Sequence, residues 1–164
     1  SKVENSVLWL FESNIWAKQN LIKEAENRGV AGNRLIFANQ LSHSNHLSRL
    51  KLADLFLDTF NYNGHTTVSE SLWAGTPVIT KIGKSFSARV AASLLNAIDM
   101  PDLIVKNNND YINLVLDMSF NKEKFYKIKT KLTGNVKTKP LFNTTQYTQN
   151  LETVFKNIIS DLYK

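Results

Sequence analysis

The chain has 164 residues, of which 43% are hydrophobic and 21% are charged, as in a soluble globular protein with a real core. It contains no cysteine, which excludes disulfides, zinc-thiolate sites and thiol catalysis and fits a reducing compartment. We see neither a secretory signal nor an apolar run near the roughly 20 residues that cross a bilayer. We therefore expect a cytoplasmic protein with no membrane partner.

The formal net charge of +6 is a reason to consider a nucleic-acid partner. The lysines, however, are scattered, and only residues 122–131 are locally basic. Phe125, Ile128 and Leu132 recur there at helical spacing, so these lysines are expected on the wet side of an amphipathic helix. A nucleic-acid partner is therefore the less favoured interpretation.

Short apolar strands alternate with helical patterns along the chain. The predicted strands are residues 6–11, which we expect to be buried, and residues 34–38, 54–58, 77–80 and 102–105. The predicted helices are residues 14–28, 44–51, 66–75, 86–96, 110–118, 122–132 and 145–162. Asn14 is the predicted cap of the first helix and Gly29 its stop signal. Residues 133–144 are expected to be a partly extended loop, because Pro140 disfavours helix at Lys139.

This alternation predicts an α/β fold with a Rossmann-like, doubly wound parallel sheet in a single lobe over residues 1–164. Ligands of such sheets bind outside the carboxyl ends of the strands. The loop at residues 39–46 and the turn at Gly64 each follow a predicted strand, so we expect them to face one crevice. In the last helix, at 144–164, an apolar stripe is expected to be core or interface. Its members are Leu151, Val154, Phe155, Ile158, Ile159 and Leu162.

The turn at Gly64 carries the strongest chemical signal. Thr66 and Thr67 open a helix directly after it, and a helix N-terminus offers unpaired N–H groups to a phosphate. His65 is a further phosphate donor, or else it caps the turn. Glu70, in about the first helical turn, is placed to accept hydrogen bonds from a ribose; the alternative is a simple interaction with the helix dipole.

His43, His46 and Arg49 follow the second predicted strand at a spacing of three, so on a helix they share a face. These side chains suit the reading of a nucleobase edge and stacking on it. A metal site would need a third ligand, and none is evident. Plain surface polarity is the remaining alternative.

Other enzyme classes find little support. Asp54 and Asp58 lie at opposite ends of one strand and do not form the carboxylate pair of a glycosidase. No Walker-type lysine follows the Gly64 turn, no Gly-x-Gly-x-x-Gly is present, and no nucleophile has a recognisable setting.

Four ordered blocks resemble the carboxyl-terminal lobe of the O-GlcNAc transferases, glycosyltransferase family 41. They are LDTFNYNGHTT at 57–67, LWAGTPV at 72–78, SARVAASL at 87–94 and PLFNTTQYT at 140–148. The resemblance runs from about Val7 to the end of the chain. It implies the nucleotide-binding lobe of a two-lobed GT-B enzyme. Such enzymes transfer N-acetylglucosamine from UDP-GlcNAc to Ser or Thr of acceptor proteins, with inversion and without a metal or other cofactor.

The resemblance also implies roles for individual residues. By this mapping uracil is contacted by Leu41, Ser42 and His43, the base and ribose by His46 and Arg49, the diphosphate by His65, Thr66 and Thr67, and the ribose by the carboxylate of Glu70. The family usually has lysine at position 43 and often aspartate at position 70. No catalytic residue falls in this chain, because the family's catalytic lobe and tetratricopeptide repeats lie upstream of it. We therefore expect a fragment that is inactive alone and whose partners are UDP-GlcNAc or UDP, the missing lobe and repeats, and protein acceptors.

Two alternatives stay open. One is a related GT-B transferase with another donor, GDP-fucose or UDP-glucose. The other, less favoured, is a non-catalytic interaction or nucleic-acid module.

Overall fold

The computed structural model describes residues 2–163. The chain forms two compact units, which divide between Arg49 and Leu50. Each is an arrangement of helices with parallel strands, so the predicted α/β class is confirmed. The single lobe over residues 1–164 stays a prediction.

The first unit contains a two-stranded parallel sheet. Its elements are β1 (Leu8–Phe11), α1 (Ile15–Asn27), β2 (Leu35–Ala38) and α2 (His43–Leu50), which ends at the first residue of the second unit. Asn14 caps α1 as predicted, because its side chain accepts a 2.8 Å hydrogen bond from the Ala17 N–H. Gly29 follows with a φ of +73°, a conformation that glycine adopts readily.

The predicted burial of the first strand is wrong for this structure. Leu8, Trp9 and Phe11 of β1 are all at least 40% exposed. Apolar residues make a strand suitable for burial. The strand is buried only where other elements pack on both of its faces.

The second unit is built on a three-stranded parallel sheet with the order β3-β4-β5. Its strands are β3 (Phe56–Leu57), β4 (Val78–Lys81) and β5 (Ile104–Val105). Its helices are α3 (Thr66–Trp73), α4 (Val90–Ala97), α5 (Asn108–Phe120), α6 (Lys122–Thr138) and α7 (Thr144–Leu162). The central strand β4 is the most buried, and Val78, Ile79 and Thr80 have no exposed surface.

The core of this unit lies around β4 and the inner faces of the helices. Its fully buried large side chains include Leu72 of α3, Leu95 of α4, Leu103 before β5 and Leu132 of α6. This packing fixes α3 against the sheet and so fixes where α3 begins, at the carboxyl end of β3.

Four predicted segments differ from the structure, and one of them is the third strand, which is shortened to Phe56–Leu57. Residues 86–96 are a short 3₁₀ turn at Phe86–Ala88 followed by α4, and a 3₁₀ turn at Pro101–Leu103 takes the first two residues of the predicted fifth strand. Residues 133–138 are helical rather than extended, because α6 continues to Thr138. The side chain of Asn135 in that extension donates a 2.8 Å hydrogen bond to the Ile98 carbonyl. This contact joins distant parts of the chain and could not be predicted from the local sequence.

The apolar stripe of α7 does not form core within residues 2–163. Its members range from 38% exposed at Leu151 to 76% at Leu162. The interpretation as core is therefore wrong here, and the interpretation as an interface stays a prediction. Across residues 2–163, no helix combines the length and the apolar character needed to span a membrane.

Candidate functional site

A cavity of about 410 Å³ opens where β3 ends and the Gly64 turn leads into α3. Its wall includes Leu57, Thr59, Tyr62, His65, Thr66 and Thr67. Both ends of the turn therefore face the same space. This is the edge of the sheet at which a ligand was expected.

The helix start predicted at Thr66 is confirmed. His65 occupies the N-cap position of α3, but its side chain makes no capping hydrogen bond. Thr66 and Thr67 are exposed. The first N–H groups of a helix have no partner within the helix, so this terminus can receive an anion.

Glu70 is the fifth residue of α3, one position beyond the first turn, and it is half-buried. A helix-dipole interaction falls off within the first turn. The position of Glu70 thus weakens the dipole explanation for its presence. It leaves the side chain on the helix that begins at the cavity.

Asp58 anchors the turn, a role that was not predicted from the sequence. Its Oδ1 accepts a 2.7 Å hydrogen bond from the Gly64 N–H, and its Oδ2 accepts a 2.6 Å hydrogen bond from the Thr80 hydroxyl. The residue is only 3% exposed. Burial raises the pKa of this carboxyl above its usual range, while the hydrogen bonds from Thr80 and Gly64 lower it in part. The available signal was the position of Asp58 directly after β3, before a glycine turn.

The rest of the loop is held by hydrogen bonds within the loop and to Ser87. The Asn63 side chain donates a 2.7 Å bond to the Thr59 carbonyl, and the Asn63 N–H donates a 2.8 Å bond to the Ser87 carbonyl. The Ser87 hydroxyl donates a 3.2 Å bond to the Asn61 carbonyl. The loop is therefore held from β3 and from the 3₁₀ turn before α4.

Aromatic rings surround His65. The Tyr62 ring stacks on it at a centroid distance of 4.8 Å, and the Phe86 ring meets it edge-on at 6.2 Å. The His65 Nε2 is buried and has no hydrogen-bond partner among the described residues. Tyr62 is 66% exposed and Phe86 81% exposed, so both rings present apolar surface beside the cavity. Neither ring was singled out from the sequence.

The second predicted group, called the α2 group below, lies in the first unit and consists of Leu41, Ser42, His43, His46 and Arg49. Leu41 and Ser42 precede α2, and the Ser42 carbonyl accepts a 2.9 Å hydrogen bond from the His46 N–H in the first turn of that helix. His43, the first residue of α2, is exposed.

Arg49 and His46 are joined as their spacing predicts. One Arg49 nitrogen lies 2.9 Å from the His46 Nδ1, and the other donates a 2.9 Å bond to the Asn39 carbonyl. Guanidinium only donates, so the His46 Nδ1 accepts and Nε2 carries the proton of the neutral ring. The Arg49 guanidinium also lies 5.7 Å from the Trp9 ring centroid. These contacts orient Arg49.

The structure gives no support to a metal at this pair. Over residues 2–163, no group of three or more His, Cys, Asp or Glu side chains is arranged to hold a metal ion. The metal-independent chemistry expected from the resemblance stays a prediction, as does a common crevice for the α2 group and the Gly64 turn.

Comparison with known proteins gives a consistent result. A model of glycosyl transferase family 41 matches residues 1–151. The chain is 31% identical over 150 residues to the UDP-N-acetylglucosamine–peptide N-acetylglucosaminyltransferase of Caenorhabditis elegans, covering 92% of this chain and 13% of that protein. It is 35% identical over 152 residues to the probable enzyme of that name, SEC, of Arabidopsis thaliana, covering 92% of this chain and 16% of that protein.

A solved structure is also similar. It is the K341M mutant of the Thermobaculum terrenum O-GlcNAc transferase, with a TM-score of 0.88 and 26% identity. The match covers 94% of this chain and 30% of that one. The chain thus spans less than a third of each of these proteins.

Proposed function

Because the chain belongs to glycosyltransferase family 41, we propose that it is the nucleotide-sugar-binding lobe of a protein O-GlcNAc transferase. The donor is UDP-GlcNAc and the acceptors are Ser or Thr residues of proteins. The observation that carries the proposal is the uncapped start of α3, which opens with two exposed threonines onto the cavity at the end of β3.

The diphosphate is proposed to bind at this helix start. The N–H groups and the hydroxyls of Thr66 and Thr67 donate to its oxygens, and the helix dipole favours its charge. The Nε2 of His65, which has no hydrogen-bond partner among the described residues, is a further group proposed to contact the diphosphate. Such fixed donors also stabilise the charge that develops on the diphosphate as the sugar–phosphate bond breaks, so this mode of binding needs no metal.

Roles in binding the nucleoside are proposed separately for Glu70 and for the α2 group. Glu70 accepts hydrogen bonds from the ribose hydroxyls. Leu41, Ser42 and His43 contact uracil, and His46 and Arg49 contact the base and ribose. We assign no catalytic residue to this chain and propose that it does not transfer sugar alone.

Calorimetric titration with UDP tests the proposal. Each of Thr67→Ala and Glu70→Ala should weaken binding about tenfold, as expected for the loss of a hydrogen bond involving a charged group. Matched controls are Thr153→Ala and Glu152→Ala, which change the same residue types on the exposed helix α7 and should leave binding unchanged. UDP binding that neither site variant alters would contradict the proposal.

The same titration with GDP addresses the other donor class. The family's usual lysine is absent at position 43, where this chain has an exposed histidine. Tighter binding of GDP than of UDP would favour a GDP-sugar donor over UDP-GlcNAc.

A further inference from the structure

We propose that Asp58 is a positioning residue for this site: its carboxylate fixes the Gly64 turn and thereby aims the N-terminus of α3 at the diphosphate. The inference rests on the proposed function, because it concerns the same helix start. It adds a residue that does not itself contact the nucleotide and that neither the sequence motif nor the resemblance assigned.

The carboxylate joins two elements that are distant in sequence. Oδ1 accepts from the Gly64 N–H at 2.7 Å, and Oδ2 accepts from the Thr80 hydroxyl of β4 at 2.6 Å. The main chain of Asp58 is held as well, because the Tyr111 hydroxyl of α5 donates a 3.1 Å bond to its carbonyl. The carboxylate therefore connects the Gly64 turn to β4, whereas the bond from Tyr111 holds only the main chain of Asp58.

Gly64 lies close against the first turn of α3, so the position of Gly64 affects the position of that helix start. A Cβ at Gly64 would lie 2.6 Å from the Thr67 Oγ1 and 2.9 Å from the Val68 Cγ2. The turn and the first turn of α3 thus leave no space between them. A displacement of Gly64 would move Thr67 and the N–H groups beside it.

A carboxylate at position 58 is explained better by a role in positioning the Gly64 turn than by a role in filling space in the core. An acid that is 3% exposed carries a desolvation cost, and none of the ion pairs among the described residues includes Asp58. What the carboxylate provides is two acceptor oxygens for two separate donors, and bonds to an ionised acceptor are shorter and stronger than neutral ones. An apolar residue in its place would leave both the Gly64 N–H and the Thr80 hydroxyl without this acceptor, which is costly.

The test combines UDP titration with the amide NMR signal of Gly64 in the ligand-free chain. Asp58→Ala should weaken UDP binding about tenfold and leave the Gly64 N–H without its acceptor, so that its signal moves upfield and its hydrogen exchange accelerates. Asp58→Asn keeps an oxygen acceptor and should restore UDP binding to within about threefold of the unsubstituted chain, with a smaller upfield shift.

Tyr111→Phe is the matched control. It removes a buried hydrogen bond from the same cluster, that to the Asp58 carbonyl, but not the bond to Gly64. It should lower stability and leave UDP affinity within about twofold, a change well below the effect of one lost hydrogen bond.

The outcomes separate the two proposals. If the unsubstituted chain does not bind UDP, the proposed function fails and the inference fails with it. If it binds UDP and Asp58→Ala binds equally well, the inference alone is overturned. A loss of affinity in Tyr111→Phe equal to that in Asp58→Ala would reduce Asp58 to a purely structural role. If Asp58→Ala does not fold, an Asp58→Asn chain whose Gly64 signal shows loss of the hydrogen bond, but whose UDP affinity is unchanged, overturns the inference.

Discussion

Gly64 lies so close to Thr67 that a Cβ at position 64 would stand 2.6 Å from the Thr67 Oγ1. Ordinary Cβ contacts are longer than 3.0 Å, so no side chain fits between the turn and α3. Among the described residues the positive-φ glycines are Gly29 and Gly75, and Gly64 is not one of them. Space, and not backbone conformation, therefore requires glycine at position 64.

Gly64→Ala is expected to destabilise the fold by about 1–3 kcal/mol, the usual cost of overpacking a close contact. It should also weaken UDP binding, because relief of the clash moves Thr67. Urea unfolding and UDP titration measure the two effects.

Gly134→Ala is the matched control for that substitution. Gly134 lies inside α6, and a Cβ there meets nothing within 4 Å. Alanine should stabilise the helix by about 0.5–1 kcal/mol. A Gly64→Ala protein as stable as the Gly134→Ala protein would show that the turn can move away from α3.

The burial of Asp58 predicts a specific pH dependence. Burial raises the pKa of this carboxyl in the folded protein above its value in the unfolded chain. Between the two values the folded protein holds a proton that the unfolded chain has lost, so this group's contribution to stability falls as pH rises through that window.

Asp58→Asn removes this titration. The free energy of unfolding of the unsubstituted chain, minus that of Asp58→Asn, should therefore decrease as pH rises from below the ordinary Asp pKa. Urea unfolding of both proteins across mildly acidic pH measures the difference. A difference that increases with pH would mean that the hydrogen bonds outweigh burial and that the pKa is lowered.

Leu72→Ala should cost about 2–5 kcal/mol, as for other fully buried leucines. Leu72 has no exposed surface and holds α3 against the core. Leu52→Ala serves as control, because Leu52 is 76% exposed, and it should change the free energy of unfolding by no more than about 0.5 kcal/mol. Equal costs for the two would contradict the described core.

Phe155→Ser tests the state of α7 in this chain. Phe155 is 55% exposed, so the substitution should change the free energy of unfolding by about 0.5 kcal/mol or less. A core phenylalanine would cost about 3–5 kcal/mol on truncation. A loss of that size would mean that the stripe is packed in solution.

Much of the local structure was predictable because its causes are local. Asn14 as a cap, the left-handed glycines Gly29 and Gly75, and the start of α3 at Thr66 all follow from signals within a few residues. Less predictable were the extension of α6 through Gly134 and the short length of β3. These depend on contacts with distant parts of the chain, such as Asn135 with Ile98.

The residues of the candidate site also fall into two groups, those predictable from nearby sequence and those placed by contacts with distant residues. The helix start with Thr66 and Thr67, and the contact of His46 with Arg49, could be predicted from local spacing. The role of Asp58 as anchor of the turn became evident only in the folded chain, because its partners Thr80 and Tyr111 lie 22 and 53 residues away. Tyr62 and Phe86 likewise meet His65 only once the loop is folded. A motif records which groups are present, but hydrogen bonds and ring contacts act over a few ångströms, so only folding decides which groups meet.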